Sequence, residues 1–135
     1  MSSMGFEIPF VNWVGLEMVF YEGEKSLLKL DPQPHHMNSL GMVHGGVVMT
    51  MLDVGMATAA RSAAKTEEGN EEPRVITIEM KSSFMKPSTG LLEVHGKVLS
   101  HSRSMAFCEA EIIDPQGRVC AKGSGTFKYV RLAKT

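Results

Sequence analysis

The reading of the fold turns on Val47–Ala64, VVMTMLDVGMATAARSAA. This stretch is dominated by Ala, Met, Leu and Val and contains no proline. Alanine and methionine favour helices, and nothing here alternates with the period of two of a strand. A surface helix would show a polar face, whereas this one is apolar nearly all round. Such a helix must be buried on most sides. In a chain of 135 residues the economical cover is a curved sheet wrapped around it.

The flanking segments supply that sheet. Ile76, Ile78 and Met80 alternate with Thr77, Glu79 and Lys81, and Leu92, Val94 and Val98 with Glu93, His95 and Lys97. Ala106, Cys108, Ala110 and Ile112 alternate with Phe107, Glu109, Glu111 and Ile113. Val119, Ala121, Phe127 and Tyr129 alternate with Arg118, Lys122, Thr126 and Lys128. Each is the pattern of a half-buried strand. Pro87-Ser88-Thr89-Gly90, His101-Ser102-Arg103 and Asp114-Pro115-Gln116-Gly117 carry turn chemistry between them.

Upstream, Leu16–Tyr21 and Ser26–Leu30 read as a hairpin about Glu22-Gly23-Glu24. Gly123 and Gly125, on the apolar face of the last strand, would let the helix approach closely. The hydrophilic run Lys65–Arg74 reads as an exposed loop. The expected order is a hairpin, a buried helix and a four-stranded antiparallel meander: one α+β domain over residues 1–135.

The formal net charge of -1 gives no general attraction to nucleic acid or to an anionic membrane. Phosphates would have to meet a local cluster of basic groups. The N-terminus lacks a basic leader with an apolar run, and no segment reaches the roughly 18–20 apolar residues needed to span a bilayer. A soluble, cytoplasmic protein is expected. Cys108 and Cys120 read as small buried apolar residues, not as a disulfide.

The run Asn38-Ser39-Leu40-Gly41-Met42-Val43-His44-Gly45-Gly46 leads straight into the helix. Glycines at a helix entry let a substrate approach free backbone N–H groups, a setting suited to an oxyanion. Alternatively, Gly45 and Gly46 merely permit tight packing. Asp53 is the only charged residue between His44 and Arg61. A buried carboxylate costs several kcal/mol unless it has a partner or a task. Its structural alternatives are a bond to a neighbouring chain or a partly exposed helix edge. Asn38 could orient water or a carbonyl, or simply serve a turn. His44 could act as a base or position the loop.

Other chemistries fit poorly. There is no G-x-S-x-G elbow, phosphate loop or dinucleotide fingerprint. His35, His36, His44, His95 and His101 lack metal-ligand spacing, so no metal is expected.

The run from Asn38 to Gly46 followed by Asp53 resembles the motif of phenylacetyl-CoA-type (PaaI-like) thioesterases of the hotdog-fold superfamily. The resemblance extends from Val14-Gly15-Leu16 to Lys128, through Val75-Ile76-Thr77-Ile78-Glu79-Met80 and Phe84-Met85-Lys86-Pro87. It implies an acyl-CoA thioesterase with a helix wrapped by a sheet. It further implies a homodimer joined edge to edge, commonly paired into a tetramer, with a site between subunits and no cofactor. By the same resemblance, Asp53 would be general base or nucleophile, and the Gly45 N–H would polarise the thioester carbonyl. Asn38 and His44 would hold substrate or water, with Thr77 near the attacking water. Gly46 would allow the substrate close, and Lys86 and Arg103 are candidate phosphate contacts, with solvated surface cations as the alternative. A hotdog hydratase or dehydratase and a non-catalytic acyl-CoA-binding regulatory domain are the rival readings.

Overall fold

The computed structural model describes residues 8–135. A short helix α1 (Pro9–Val14) precedes the hairpin β1 (Glu17–Glu22) and β2 (Lys25–Leu30). A 3-10 turn at Pro34–His36 leads to the long helix α2 (Gly45–Ala63). Four strands follow: β3 (Arg74–Phe84), β4 (Leu92–His101), β5 (Met105–Ile113) and β6 (Val119–Val130). They form one antiparallel sheet of order β1-β2-β4-β5-β6-β3, and α2 packs against every strand of it.

The core is the seam between α2 and the sheet. Met51, Leu52 and Met56 of the helix meet Leu28, Val94, Cys108, Ile112 and Phe127, all essentially inaccessible to water. The inward positions expected for β5 and β6 are those observed: Ala106, Cys108, Ala110, Ile112, Ala121, Phe127 and Tyr129 are buried. Cys108 and Cys120 are free and buried, and burial pushes the Cys108 thiol up to about 12. The hairpin turns at Gly23 and Glu24, both left-handed at φ 59° and 66°, the two-residue turn that matches strand twist.

Two expectations need correction. The four later strands are not a meander: β4, β5 and β6 are, but β3 pairs with β6 and β2 with β4. The connection over residues 64–73 carries the chain from the C-terminal end of α2 to the outer side of β6, where β3 pairs. The alternation in β3 is also broken. Ile78 is a bulge between the pairs Thr77↔Phe127 and Glu79↔Thr126. Residues directly opposite share a face, so Thr77 lies on the face of Phe127, although exposed at the sheet edge, while Ile76, opposite Lys128, faces out. Ile76 and Ile78 are accordingly half exposed, at 52% and 51%.

The expected close approach at the last strand is present: a methyl on Gly123 would lie 3.4 Å from Leu52 of α2, and one on Gly125 would lie 3.4 Å from Met56 of α2, 3.1 Å from the Glu79 carbonyl and 3.0 Å from Phe127. The tightest points are elsewhere. A Cβ on Gly96 would fall 2.3 Å from the Gly55 carbonyl oxygen, and one on Gly55 would fall 2.7 Å from Val94. There the Ser26 hydroxyl donates to the Gly55 carbonyl at 2.6 Å. The run at 65–74 is less uniform than its composition suggests, since Pro73 is buried and Arg74 already belongs to β3.

Gly96→Ala should therefore lose about 3 kcal/mol of stability by overpacking, whereas Gly123→Ala should stay within about 1 kcal/mol of the parent. Urea unfolding of the two variants checks this, and equal losses would contradict the packing described.

Candidate active site

The chemistry gathers at the start of α2. His44 is its N-cap: its Nδ1 accepts from the Gly46 N–H at 2.8 Å, and its carbonyl accepts from Val47 and Val48. With Nδ1 accepting from Gly46, His44 serves as the helix cap and its Nε2 is left to face outward as a donor. The cap also consumes the Gly46 N–H that the sequence offered for substrate. One first-turn donor is left over. The Gly45 N–H has no partner among the described residues, as expected for the orphan groups of a helix start. Tight packing does not explain this glycine either, because an added Cβ would approach nothing closer than Phe84 at 3.9 Å.

Gly45 opens on a groove of about 380 Å³ lined by Asn38, Val48, Phe84, Lys86 and Ser88 among others. Asn38 shapes the loop entering it. Its Oδ1 accepts from the Leu40 and Met42 N–H groups at 2.9 and 3.0 Å, leaving the side-chain NH2 as a donor. The loop is pinned by Val43 N–H donating to Ser88 and His44 N–H donating to His36. The walls from Val48, Phe84 and Ser88 escaped the sequence reading, because they come from a helix, a strand end and a turn far apart in the chain.

Asp53 and Thr77 form a second focus. The Thr77 hydroxyl donates to Asp53 Oδ1 at 2.6 Å. Asp53 is half-buried, not fully enclosed as the apolar helix suggested, because α2 leaves one side uncovered beside the edge strand β3; Met49 on that helix is 42% exposed. Neither Asp53 nor Thr77 lines the Gly45 groove of the same chain. Eight residues of α2 separate Gly45 from Asp53, about 12 Å along the axis.

The two proposed phosphate contacts part company. Lys86 lies on the Gly45 groove. Arg103 instead grips Glu67 with two hydrogen bonds of 2.8 and 2.9 Å, and that contact, against slight desolvation, holds the Glu67 carboxyl below its usual range. Arg103 sits between His101 and Met105, at the end of the sheet where β6 finishes, whereas the groove lies at the end where β3 finishes. A larger depression of about 480 Å³ on the outer face of the sheet involves Lys25, His95, Lys97 and Glu109. Lys97 pairs with Glu109 there at 3.0 Å, and no residue of the helix start reaches it.

A helix cradled by a six-stranded antiparallel sheet is the hotdog arrangement, the fold of the PaaI-like thioesterases. Residues 40–121 match the family model of the Thioesterase superfamily, and the chain belongs to that family. Membership places it among ester and thioester hydrolases. The chain is similar to SSO1253 of Saccharolobus solfataricus, whose name places it provisionally among esterases, with 29% identity over 89% of this chain and 77% of that one. Among solved structures it is similar to the conserved protein PA5202 of Pseudomonas aeruginosa, 25% identical, with a TM-score of 0.83 over 96% of this chain and 100% of that one. The PaaI protein of E. coli, from the phenylacetic acid degradation operon, shares the fold at 14% identity. Its TM-score is 0.82 over 96% of this chain and 89% of that one. Among the described residues no helix is long and apolar enough to cross a membrane.

The capping role of His44 has a measurable cost. His44→Ala should lower stability by about 1 kcal/mol, and His44→Asn, which restores a good cap acceptor, should recover most of it. Thermal unfolding followed by circular dichroism reads both, and equal stability of the two variants would refute the cap.

Proposed function

We propose that the protein is an acyl-CoA thioesterase that converts a thioester and water into a carboxylic acid and free CoA. It would act as a homodimer, paired into a tetramer, with no metal or organic cofactor. The observation that carries this reading is the Gly45 N–H, the one donor of the first turn of α2 that the His44 cap leaves unbonded, facing a groove. A thioester carbonyl seated on it would find its developing oxyanion stabilised by that N–H and by the positive end of the helix. The Asn38 NH2 group would add a second donor.

Water then attacks the carbonyl carbon while Asp53 takes its proton. Thr77 holds Asp53 Oδ1, which leaves Oδ2 to face the water. When the tetrahedral intermediate collapses, the carbon–sulfur bond breaks and the proton on Asp53 passes to the departing thiolate. Direct attack by Asp53 would give the same products through an anhydride, and the substitutions below remove both routes.

The edge strand supports the dimer. β3 is eleven residues long and bonded on one side only, to β6, and such an edge invites pairing. Antiparallel pairing of two β3 strands reverses direction across the dimer. It brings the Thr77 end of one strand towards the Phe84 end of the other, and with it Asp53 towards the partner's groove. This accounts for an acid and an oxyanion donor that do not share a groove within one chain. Lys86 would meet the phosphates at the mouth.

Asp53→Asn and Asp53→Ala should each lower kcat on acyl-CoA by about 10²-fold or more, measured by thiol release. Gly45→Pro removes the N–H and sets a ring carbon in its place: proline is favoured at the first helical position, and His44 already has the extended backbone (φ −60°, ψ 139°) that a following proline requires. It should lower kcat by about 10²–10³-fold in a protein that still folds. Near-normal turnover in folded Asp53→Asn would overturn the mechanism.

A further inference from the structure

Arg103 is engaged elsewhere, so the nucleotide of a CoA substrate needs another resting place. One exposed surface is joined to the start of α2 through His36. Helix α1 buries Val11 and Val14 but leaves Phe10 and Trp13 exposed, at 55% and 73%. The two rings lie 6.4 Å apart and only 21° from parallel, and His35 extends the ladder 6.2 Å from Trp13. The ladder is tied to the helix start by two hydrogen bonds. His36 Nδ1 accepts from the Gln33 N–H at 2.9 Å, so its Nε2 carries the proton and donates to the Val14 carbonyl at 2.6 Å. The His36 carbonyl in turn accepts from the N–H of His44, the α2 cap, at 2.8 Å.

The charge pattern around it is one-sided. The chain has 15 acidic residues, yet none falls in residues 8–16, 32–52 or 82–92, the segments that build the ladder, the loop and the groove walls. The same segments hold the cation Lys86, and the start of α2 adds a positive dipole end. An exposed aromatic surface, joined through His36 to the start of α2 in segments that themselves carry no carboxylate, suits a purine base that carries phosphates. Stacking of bases on aromatic side chains is a strong and general attraction.

Resting on the thioesterase reading above, we propose that the Phe10–Trp13–His35 ladder docks the adenine ring of CoA, with the phosphates lying between it and Lys86. The occupant could otherwise be a second copy of the chain, and the experiment separates the two.

Trp13 is the only tryptophan in the chain, so its fluorescence reports this surface alone. Adenosine 3′,5′-bisphosphate added to the full-length protein should quench it saturably, and inorganic phosphate should not. In Trp13→Ala the kcat/KM preference for acyl-CoA over the matching acyl-pantetheine should fall about tenfold, and Trp13→Phe should restore most of it. Turnover of both thioesters without quenching, and with an unaltered preference in Trp13→Ala, overturns the adenine assignment and leaves the thioesterase reading intact. Quenching with turnover of neither thioester keeps the adenine site and removes the thioesterase reading. A lower sedimentation coefficient for Trp13→Ala without quenching of the parent gives the surface to a second copy and overturns the proposal.

Discussion

Gly96 on the sheet lies under the carbonyl of Gly55 on the helix, with the Ser26 hydroxyl bonded to the same carbonyl. Any side chain at position 96 would occupy space already filled by backbone. This contact fixes both the height of α2 above the sheet and its roll about its own axis. Once the Gly55 side of the helix faces β2 and β4, Asp53, two residues earlier, is turned towards β3 at the sheet edge. The start of the helix is then carried to the groove between Asn38 and Lys86. The positions of both chemical foci therefore depend on the absence of one methyl group.

Two local devices complete the arrangement. The His44 cap saturates the Gly46 and Val47 N–H groups, which leaves Gly45 as the single available donor. The bulge at Ile78 sets Thr77 on the inner face, where its hydroxyl reaches Asp53. Without the bulge, the inward side of β3 would have to be the same on both sides of Ile78, and Met80 could not join Thr77 on it. A bulge beside reacting groups commonly re-aims a side chain in this way.

Much of this was legible in the sequence, for identifiable reasons. The long helix betrayed itself by composition and period, and β4, β5 and β6 by clean alternation, because each has one buried face. Asn38, Gly45 and Asp53 stood out as polar or flexible residues where the pattern called for neither. What escaped depends on non-local contacts. Strand order rests on pairings between segments far apart in the chain, β3 with β6 and β2 with β4, which no local pattern records. The β3 bulge hides behind an alternation that continues across it. Helix α1 is too short for periodicity, although Pro9 and Gly15 bracket it with start and stop signals. Arg103 reads as a free surface cation until the fold delivers Glu67, 36 residues earlier, to its guanidinium.

The central claim is that the acid of one chain serves the oxyanion donor of another. It is tested most directly by combining two inactive chains, Asp53→Asn and Gly45→Pro, through co-expression or joint refolding. In a shared-site dimer each mixed pair carries one doubly damaged site and one intact site. Random pairing of equal amounts then restores about a quarter of the parent turnover per chain. Activity at that level, from two variants each inert alone, is the predicted result. A mixture no more active than its components, in protein shown to contain mixed dimers, would place both groups in one chain and contradict the account.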